Sequence, residues 1–472
     1  MSLCGLQTSC CAAVAQTTDK SANQNKIYKN QIVRFRHKAC RDLHEPTRPM
    51  CRSLRVQEYR MTQSTGSNPL SLGTDYETLA NRFRPIFREI GAGNVEREKA
   101  RALPYEPIAW LKKAGFGAVR VPVEYGGAGA SVSQLFQLLI ELAEADSNIP
   151  QALRAHFAFV EDRLNAPPGA DRDTWFARFV AGDLVGNGWT EVGAVKIGDV
   201  ITKVSPQGDG FVLNGTKFYS TGSIFADWID VYAQRADTGA DVIAVVDARH
   251  AGVRHSDDWD GFGQRTTGSG TSVYDNVPLP AAHVIPFEQR FKYQTAFYQL
   301  VLLAVLAGIG RAVERDIAHE VRDRKRIFSH GNAGSVSQDS QVQQVVGQIS
   351  SQVYAAEAAT LRSAEPLQRA YVARFGNNPQ QEKDANIAAE IETAKAQVIV
   401  SELVLRSATE LFNALGASGV SVNKALDRHW RNARTAASHN PLIYKARIVG
   451  DWRINGTEPP FVWQIGSGTG KA

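Results

Sequence analysis

Beyond residue 51 the chain contains no cysteine: Cys4, Cys10, Cys11, Cys40 and Cys51 are the only five in 472 residues. A disulfide framework would have to tie the body of the fold together, and these five can link only the first segment to itself. CxxC and Cys/His metal spacings are missing too, so no structural zinc is expected. The sequence also lacks any uninterrupted apolar run of roughly 18 residues, the length a membrane span needs. The longest candidate, Leu300 to Ile309, is short and punctuated by Gly308. A soluble, cytoplasmic protein is expected.

An excess of one charge is likewise absent from most of the chain. Residues 1–60 hold 11 Lys/Arg against 4 Asp/Glu, and the remainder holds 42 against 44, so the net charge of +5 comes wholly from the first segment. A near-neutral body argues against nucleic-acid binding. Residues 1–60 lack the charged start and apolar core of a secretory signal. They read as a leader outside the fold, with translation starting at Met61, or alternatively as a transit peptide. Common catalytic signatures are missing as well. Gly308-x-Gly310 and Gly261-x-Gly263 lack the third glycine of a dinucleotide fingerprint, Gly268-Ser269-Gly270 has the wrong spacing for a nucleophile elbow, and neither a P-loop nor HExxH occurs.

What the chain does have is a change of period. Leu79, Phe83, Ile86 and Ile90, then Leu135, Leu138, Leu139 and Leu142, recur at helical spacing, so residues 61–185 predict a helical domain. Across 186–290, β-branched runs such as "VITKV", "WIDVYAQ" and "DVIAVVD" alternate with turn signals and predict an antiparallel β domain. From 291 to 472, amphipathic stretches near 291–328, 341–375, 381–415 and 422–435 predict a four-helix bundle. The fold class is α+β.

Five segments carry a resemblance: "VPVEYGGAG" (121–129), "GNGWTEVG" (186–193), "GFVLNGTKFYSTG" (210–222), "GFGQRTTGSGTSVYDNVPLP" (261–280) and "DRHWRNARTAASHNP" (427–441). Together with the domain order they make the chain, from Tyr76 to Phe461, similar to the acyl-CoA dehydrogenase superfamily. The similarity is to its flavin-dependent monooxygenase branch, which contains dibenzothiophene monooxygenases and the sulfur-acquisition oxidoreductases of the dimethyl sulfone pathway. The resemblance implies an acyl-CoA dehydrogenase-like fold and a flavin lying near Asn187, Trp189, Thr190, Tyr219, Ser220 and Thr221. Tyr219 takes the place of a stacking aromatic and Thr221 that of the hydroxyl near N5. The Asn-Gly turn at 214–215 is also what an ordinary hairpin needs. Arg324 and Arg326 fall near an arginine that reaches a cofactor phosphate in relatives, and Asn413 stands where dehydrogenases carry a glutamine at the adenosine.

A dehydrogenase needs a carboxylate to remove an α-proton, and alignment of "RNAR" (431–434) puts Asn440 at that position, after His439. The oxygenase branch has a His-Asp pair there. His439 is the leading catalytic candidate, able to move protons near neutral pH while reduced flavin and oxygen form a C4a-hydroperoxide in a site that excludes water. His156 is the second candidate, in competition with a core role. The resulting expectation is a two-component monooxygenase taking reduced FMN from a separate flavin reductase, with oxygen and a small apolar, organosulfur-type substrate, assembled as a homotetramer. The alternatives are an FAD-dependent acyl-CoA dehydrogenase with its base elsewhere and an inactive flavin-fold binding protein.

Overall fold

The computed structural model describes residues 75–192 and 199–462. The expected leader, residues 1–60, lies outside the described residues. The first unit is helical: α1 (Tyr76–Asn81), α2 (Arg84–Ala92), α3 (Asn94–Ala100), α4 (Tyr105–Lys113), α5 (Val132–Ala145), α6 (Asn148–Ala152), α7 (Arg154–Asn165) and α8 (Ala170–Ala181). Helix α5 begins in a capping box. Ser131 Oγ accepts from the Gln134 N–H at 3.1 Å, and Gln134 Oε1 accepts from the Ser131 N–H at 2.9 Å. Two otherwise unpaired donors are thereby satisfied where the apolar face of α5 enters the core.

Eight strands follow among the described residues: β1 (Val185–Gly188), β2 (Lys203–Gln207), β3 (Gly210–Lys217), β4 (Trp228–Arg235), β5 (Asp241–Asp247), β6 (Val253–His255), β7 (Ser272–Leu279) and β8 (Val284–Pro286). They form one sheet in the order β6-β7-β3-β2-β4-β5-β8, with β1 beside β4. The expectation of an antiparallel sheet needs correction, because β1 and β2 both run parallel to β4. One edge of β4 is shared, its first half by β1 and its second by β2. Period-2 patterning reports which face a strand buries but not the direction of its neighbour, so the parallel pairs were not legible in it.

The last unit has five helices among the described residues rather than four: α9 (Gln294–Asp323), α10 (Ser340–Arg374), α11 (Pro379–Leu415), α12 (Asp427–Ser438) and α13 (Leu442–Asn455). Helix α9 packs against α5, α10, α11 and α12, with Leu300 to Leu306 wholly buried. Each such Leu or Val contributes about 1.5–3 kcal/mol of transfer free energy. The helix is long and apolar enough to cross a membrane, contrary to the reading of the sequence, but it is the central core helix of the bundle and most of it is buried.

A buried ion cluster joins the units. Arg290, in the segment between β8 and α9, donates to Asp230 of β4 at 2.8 Å and lies 3.6 Å from Asp162 of α7. Burial pushes the Asp230 carboxyl up, but both of its partners, Arg290 and the Trp189 indole N–H at 3.0 Å, are donors. The permanently charged guanidinium fixes it as the carboxylate.

Candidate active site

Three pieces of backbone converge beside this cluster. Strand β1 brings Asn187 opposite Asp230 and runs on to Trp189. The loop after β3 brings Tyr219, Ser220 and Thr221, and the start of α7 with the end of α12 brings Arg154 and His439. Gly222 makes the second approach possible. Its φ is +80°, and a Cβ placed there would lie 1.9 Å from the Ala152 carbonyl oxygen. The loop therefore seats directly against the junction of α6 and α7.

Loop hydroxyls form a directed chain. Thr267 donates to the Gln264 carbonyl at 2.9 Å, so its contact with Ser269 at 2.7 Å requires Ser269 to donate. Thr221, 2.7 Å from Ser269, must then donate as well. A hydroxyl carries one proton, so Thr221 Oγ1 is left able only to accept. Ser220 is nearly fully buried, its N–H bonds Gly270, and its Oγ has no partner. The Trp189 ring supplies an apolar wall, held by Asp230 and lying 5.8 Å from the Tyr298 ring. Tyr219 is half exposed, has φ +55° and rests edge-on against Trp259. Thr190 is a pairing residue whose carbonyl accepts from the Phe218 N–H at 2.8 Å. An aromatic wall, an orphaned buried hydroxyl and an acceptor-only hydroxyl fit one edge of a reduced isoalloxazine, which presents an N–H at N5.

Neighbouring Glu191 is structural. Burial opposes its ionisation, but the N–H groups of Ile201 and Thr202 and the Lys217 ammonium overcome this and hold the carboxyl down to about 2.

His439 caps the C-terminal end of α12 and is exposed there. The Arg154 guanidinium is 2.9 Å from Nε2. Because guanidinium only donates, Nε2 accepts and the ring proton sits on Nδ1, facing Asn440 Oδ1 at 3.4 Å. Asn440 in turn donates to Gln299 Oε1 at 2.6 Å, and its backbone carbonyl accepts from Gln397 at 3.1 Å. Surrounding protein and the adjacent Arg154 push the imidazole down to about 3. With Arg154 donating to Nε2 and Asn440 Oδ1 facing Nδ1, the tautomer of the neutral ring is set.

The structure gives His156 a different place. Its Nε2–H donates to the Gly117 carbonyl at 2.9 Å, Nδ1 accepts from the Val185 N–H at 3.3 Å, and the ring is fully buried. Burial holds it down to about 4. Fully buried and bonded through both nitrogens to backbone, His156 sits as a core residue, unlike exposed His439. Arg324 and Arg326 lie beyond the other end of α9. Arg324 donates to the Leu415 and Arg326 carbonyls, near exposed Asn413, so these three form a cluster of their own.

Sequence reasoning missed Arg154, Tyr298 and Gln299. The signal was present: a basic residue in the otherwise largely apolar "ALRAHFAFV", and two polar residues interrupting the apolar start of α9. Gln299 also bears on the dehydrogenase alternative. It is the α9 side chain that meets residue 440, and it too is an amide. The α9 carboxylates, Glu314, Asp316, Glu320 and Asp323, lie in the distal half of the helix.

The layering of helical domain, sheet and bundle, with a flavin-edge site at their junction, defines the class. The chain belongs to the acyl-CoA dehydrogenase family: its models match 75–183 (N-terminal domain), 188–277 (middle domain) and 300–442 (C-terminal domain). Among its relatives is the dibenzothiophene monooxygenase of Mycolicibacterium goodii, 26% identical over 399 residues, covering 80% of this chain and 93% of that one. The probable FMNH2-dependent monooxygenase SfnC of Pseudomonas putida is 25% identical, covering 77% and 92%. The FMN-bound structure of TdsC from Paenibacillus sp. A11-2 superposes with a TM-score of 0.74 at 26% identity, covering 81% and 98%.

Proposed function

We propose that this protein is a flavin-dependent monooxygenase that uses reduced FMN and oxygen to oxygenate a small organosulfur compound. The observation that carries the reading is the Asn440–Gln299 amide pair beside a neutral His439. Neither amide can abstract an α-proton from an acyl thioester, whereas oxygen transfer needs no such base. The relatives named for dibenzothiophene oxygenation and FMNH2 dependence support it.

The FMN would be held by the Trp189 ring, the Ser220 hydroxyl and the acceptor Thr221 Oγ1, with Asn187 alongside. Bound in reduced form, it supplies the electrons that activate oxygen for transfer of one atom to substrate. The residues of the chain do the rest. Asp230 and Arg290 fix Trp189, Asn440 fixes the tautomer of His439, and the apolar start of α9 limits water at the site. His439 is the side chain positioned to hold or pass a proton, at Nε2 once Arg154 releases it. The α11-terminal cluster of Arg324, Arg326 and Asn413 serves a cofactor phosphate in a homotetramer, and a separate reductase supplies the reduced flavin.

The test is oxygen consumption by the purified protein with chemically reduced FMN and a panel of sulfones, thiophenes and acyl-CoAs. Reduced-FMN-dependent consumption that yields an oxygenated sulfur product is expected. Anaerobic bleaching of bound flavin by an acyl-CoA would overturn the proposal.

A further inference from the structure

Among the described residues the buried arginines follow a rule with one exception. Arg120 pairs with Glu161 at 2.9 Å, Arg163 with Asp162 at 2.6 Å, Arg290 with Asp230 at 2.8 Å and Arg428 with Asp316 at 2.6 Å. Arg154 is buried to the same degree, yet among the described residues it has no carboxylate partner. Its one hydrogen bond is to His439, and its charge otherwise lies over the Tyr298 ring at 5.4 Å. The nearby carboxylates are committed: Asp162 and Asp230 to Arg290, and Glu161 to Arg120 and the Tyr293 hydroxyl.

Leaving a guanidinium buried without a counter-ion is costly, because a charge removed from water is normally paired. The Arg154 nitrogens other than the one bonded to His439 are not among the buried atoms left without a partner, so the guanidinium keeps some accessible surface. A planar fork presented this way is suited to two oxygens of an oxyanion.

We propose that Arg154 is the anion-binding residue of the substrate subsite, and that the substrate is a small organosulfur compound bearing a negatively charged oxyanion, of the sulfinate kind, whose sulfur lone pair can receive the oxygen atom to give a sulfonate, rather than a neutral thiophene or sulfone. This rests on the monooxygenase reading and narrows it. The anion completes the pairing that every other buried arginine already has, and it places the substrate's sulfur beside His439 Nε2. Because the same guanidinium contacts the imidazole, the bound anion also offsets the positive charge that keeps the ring unprotonated. Substrate charge and the proton-carrying capacity of His439 are thereby coupled.

The experiment compares an alkanesulfinate with the neutral dialkyl sulfone of the same carbon count, titrated by calorimetry into FMN-loaded protein. Quenching of Trp189 fluorescence, close to Tyr298, gives a second readout independent of turnover. The wild type is expected to bind the anion at least about tenfold more tightly than the sulfone. Arg154→Gln should abolish the preference with sulfone affinity retained, and Arg154→Lys should recover part of it, since a point charge replaces the fork. Equal affinities in the wild type would overturn the inference without any variant, as would an Arg154→Gln protein of unchanged melting temperature that binds the anion normally. Oxygenation of a neutral sulfone without anion preference would leave the monooxygenase reading standing and remove this one. Anion binding through Arg154 with no reduced-FMN-dependent oxygen consumption would do the reverse.

Discussion

The side-chain amide of Asn440 donates to Gln299 Oε1 at 2.6 Å, so two neutral groups from α9 and the α12–α13 turn meet at the point where proton abstraction would require a carboxylate. The contact also aims Asn440 Oδ1 at the Nδ1–H of His439. Removing the amide should therefore free the imidazole to rotate. Asn440→Ala is expected to lower turnover about ten- to a hundredfold, as loss of an orienting partner typically does, with reduced-FMN affinity unchanged. Asn440→Asp adds a charge that favours the imidazolium, so the pH profile of turnover should move to higher pH. A profile that stays in place would show that residue 440 does not act on His439.

The two histidines should separate cleanly. His439→Gln is expected to reduce turnover about 10²- to 10⁴-fold, the usual worth of a positioned proton carrier, with no change in melting temperature. His156→Gln should do the opposite. It disturbs the buried Gly117 carbonyl and Val185 N–H at about 1–3 kcal/mol each, lowering the melting temperature while leaving the activity of the folded protein close to wild type. Thermal melts and steady-state rates on the same samples decide the matter.

Acid should destabilise the fold at a definable pH. His156 and His429 are both buried and held down to about 4, His156 mainly by burial and His429 by burial and then Arg428. Their unfolded value is near 6.5, so between about pH 6.5 and 4 the unfolded chain binds more protons than the native one. Stability is then complete above 6.5 and falls as pH drops, by about 1.4 kcal/mol per pH unit for each imidazole. Denaturant titrations at stepped pH should show a slope in that direction, and His156→Gln should make it shallower. A flat dependence down to pH 4 would contradict the burial of both rings.

Gly222→Ala is expected to be far worse than an ordinary loop substitution. Its φ of +80° is strained for alanine, and the methyl would strike the Ala152 carbonyl. The loop must lift from the α6–α7 junction, carrying Ser220 and Thr221 with it. Reduced-FMN affinity should drop by more than tenfold, a loss exceeding about 1.4 kcal/mol, even where circular dichroism shows intact secondary structure.

The order of the three units could be read from the change in hydrophobic period, and the helix ends at Asp323, Arg374 and Leu415 fall within a few residues of the breaks marked by "SHGNAGS", "FGNNP" and "ALGASG". The parallel neighbours of β4 could not, since strand direction leaves no trace in a period of two. At the proposed site, Thr221 and His439 could be singled out from the sequence because they lie in segments with a recognisable pattern. Arg154 was not, because its importance comes from the carboxylate that its surroundings fail to provide, a property of three-dimensional neighbours. For His156 the sequence left a catalytic and a core role in competition, because the two backbone groups that satisfy its ring, Gly117 and Val185, are distant in sequence.

The cluster of Asp162, Asp230 and Arg290 ties the first helical unit and the sheet to the segment that leads into the bundle. Anyone building hybrid enzymes by exchanging the sheet or the bundle with a relative must therefore transfer these three positions as one inherited set, because a splice that carries Arg290 without both aspartates strands a cation under Trp189 and misaligns the wall on which the cofactor edge depends.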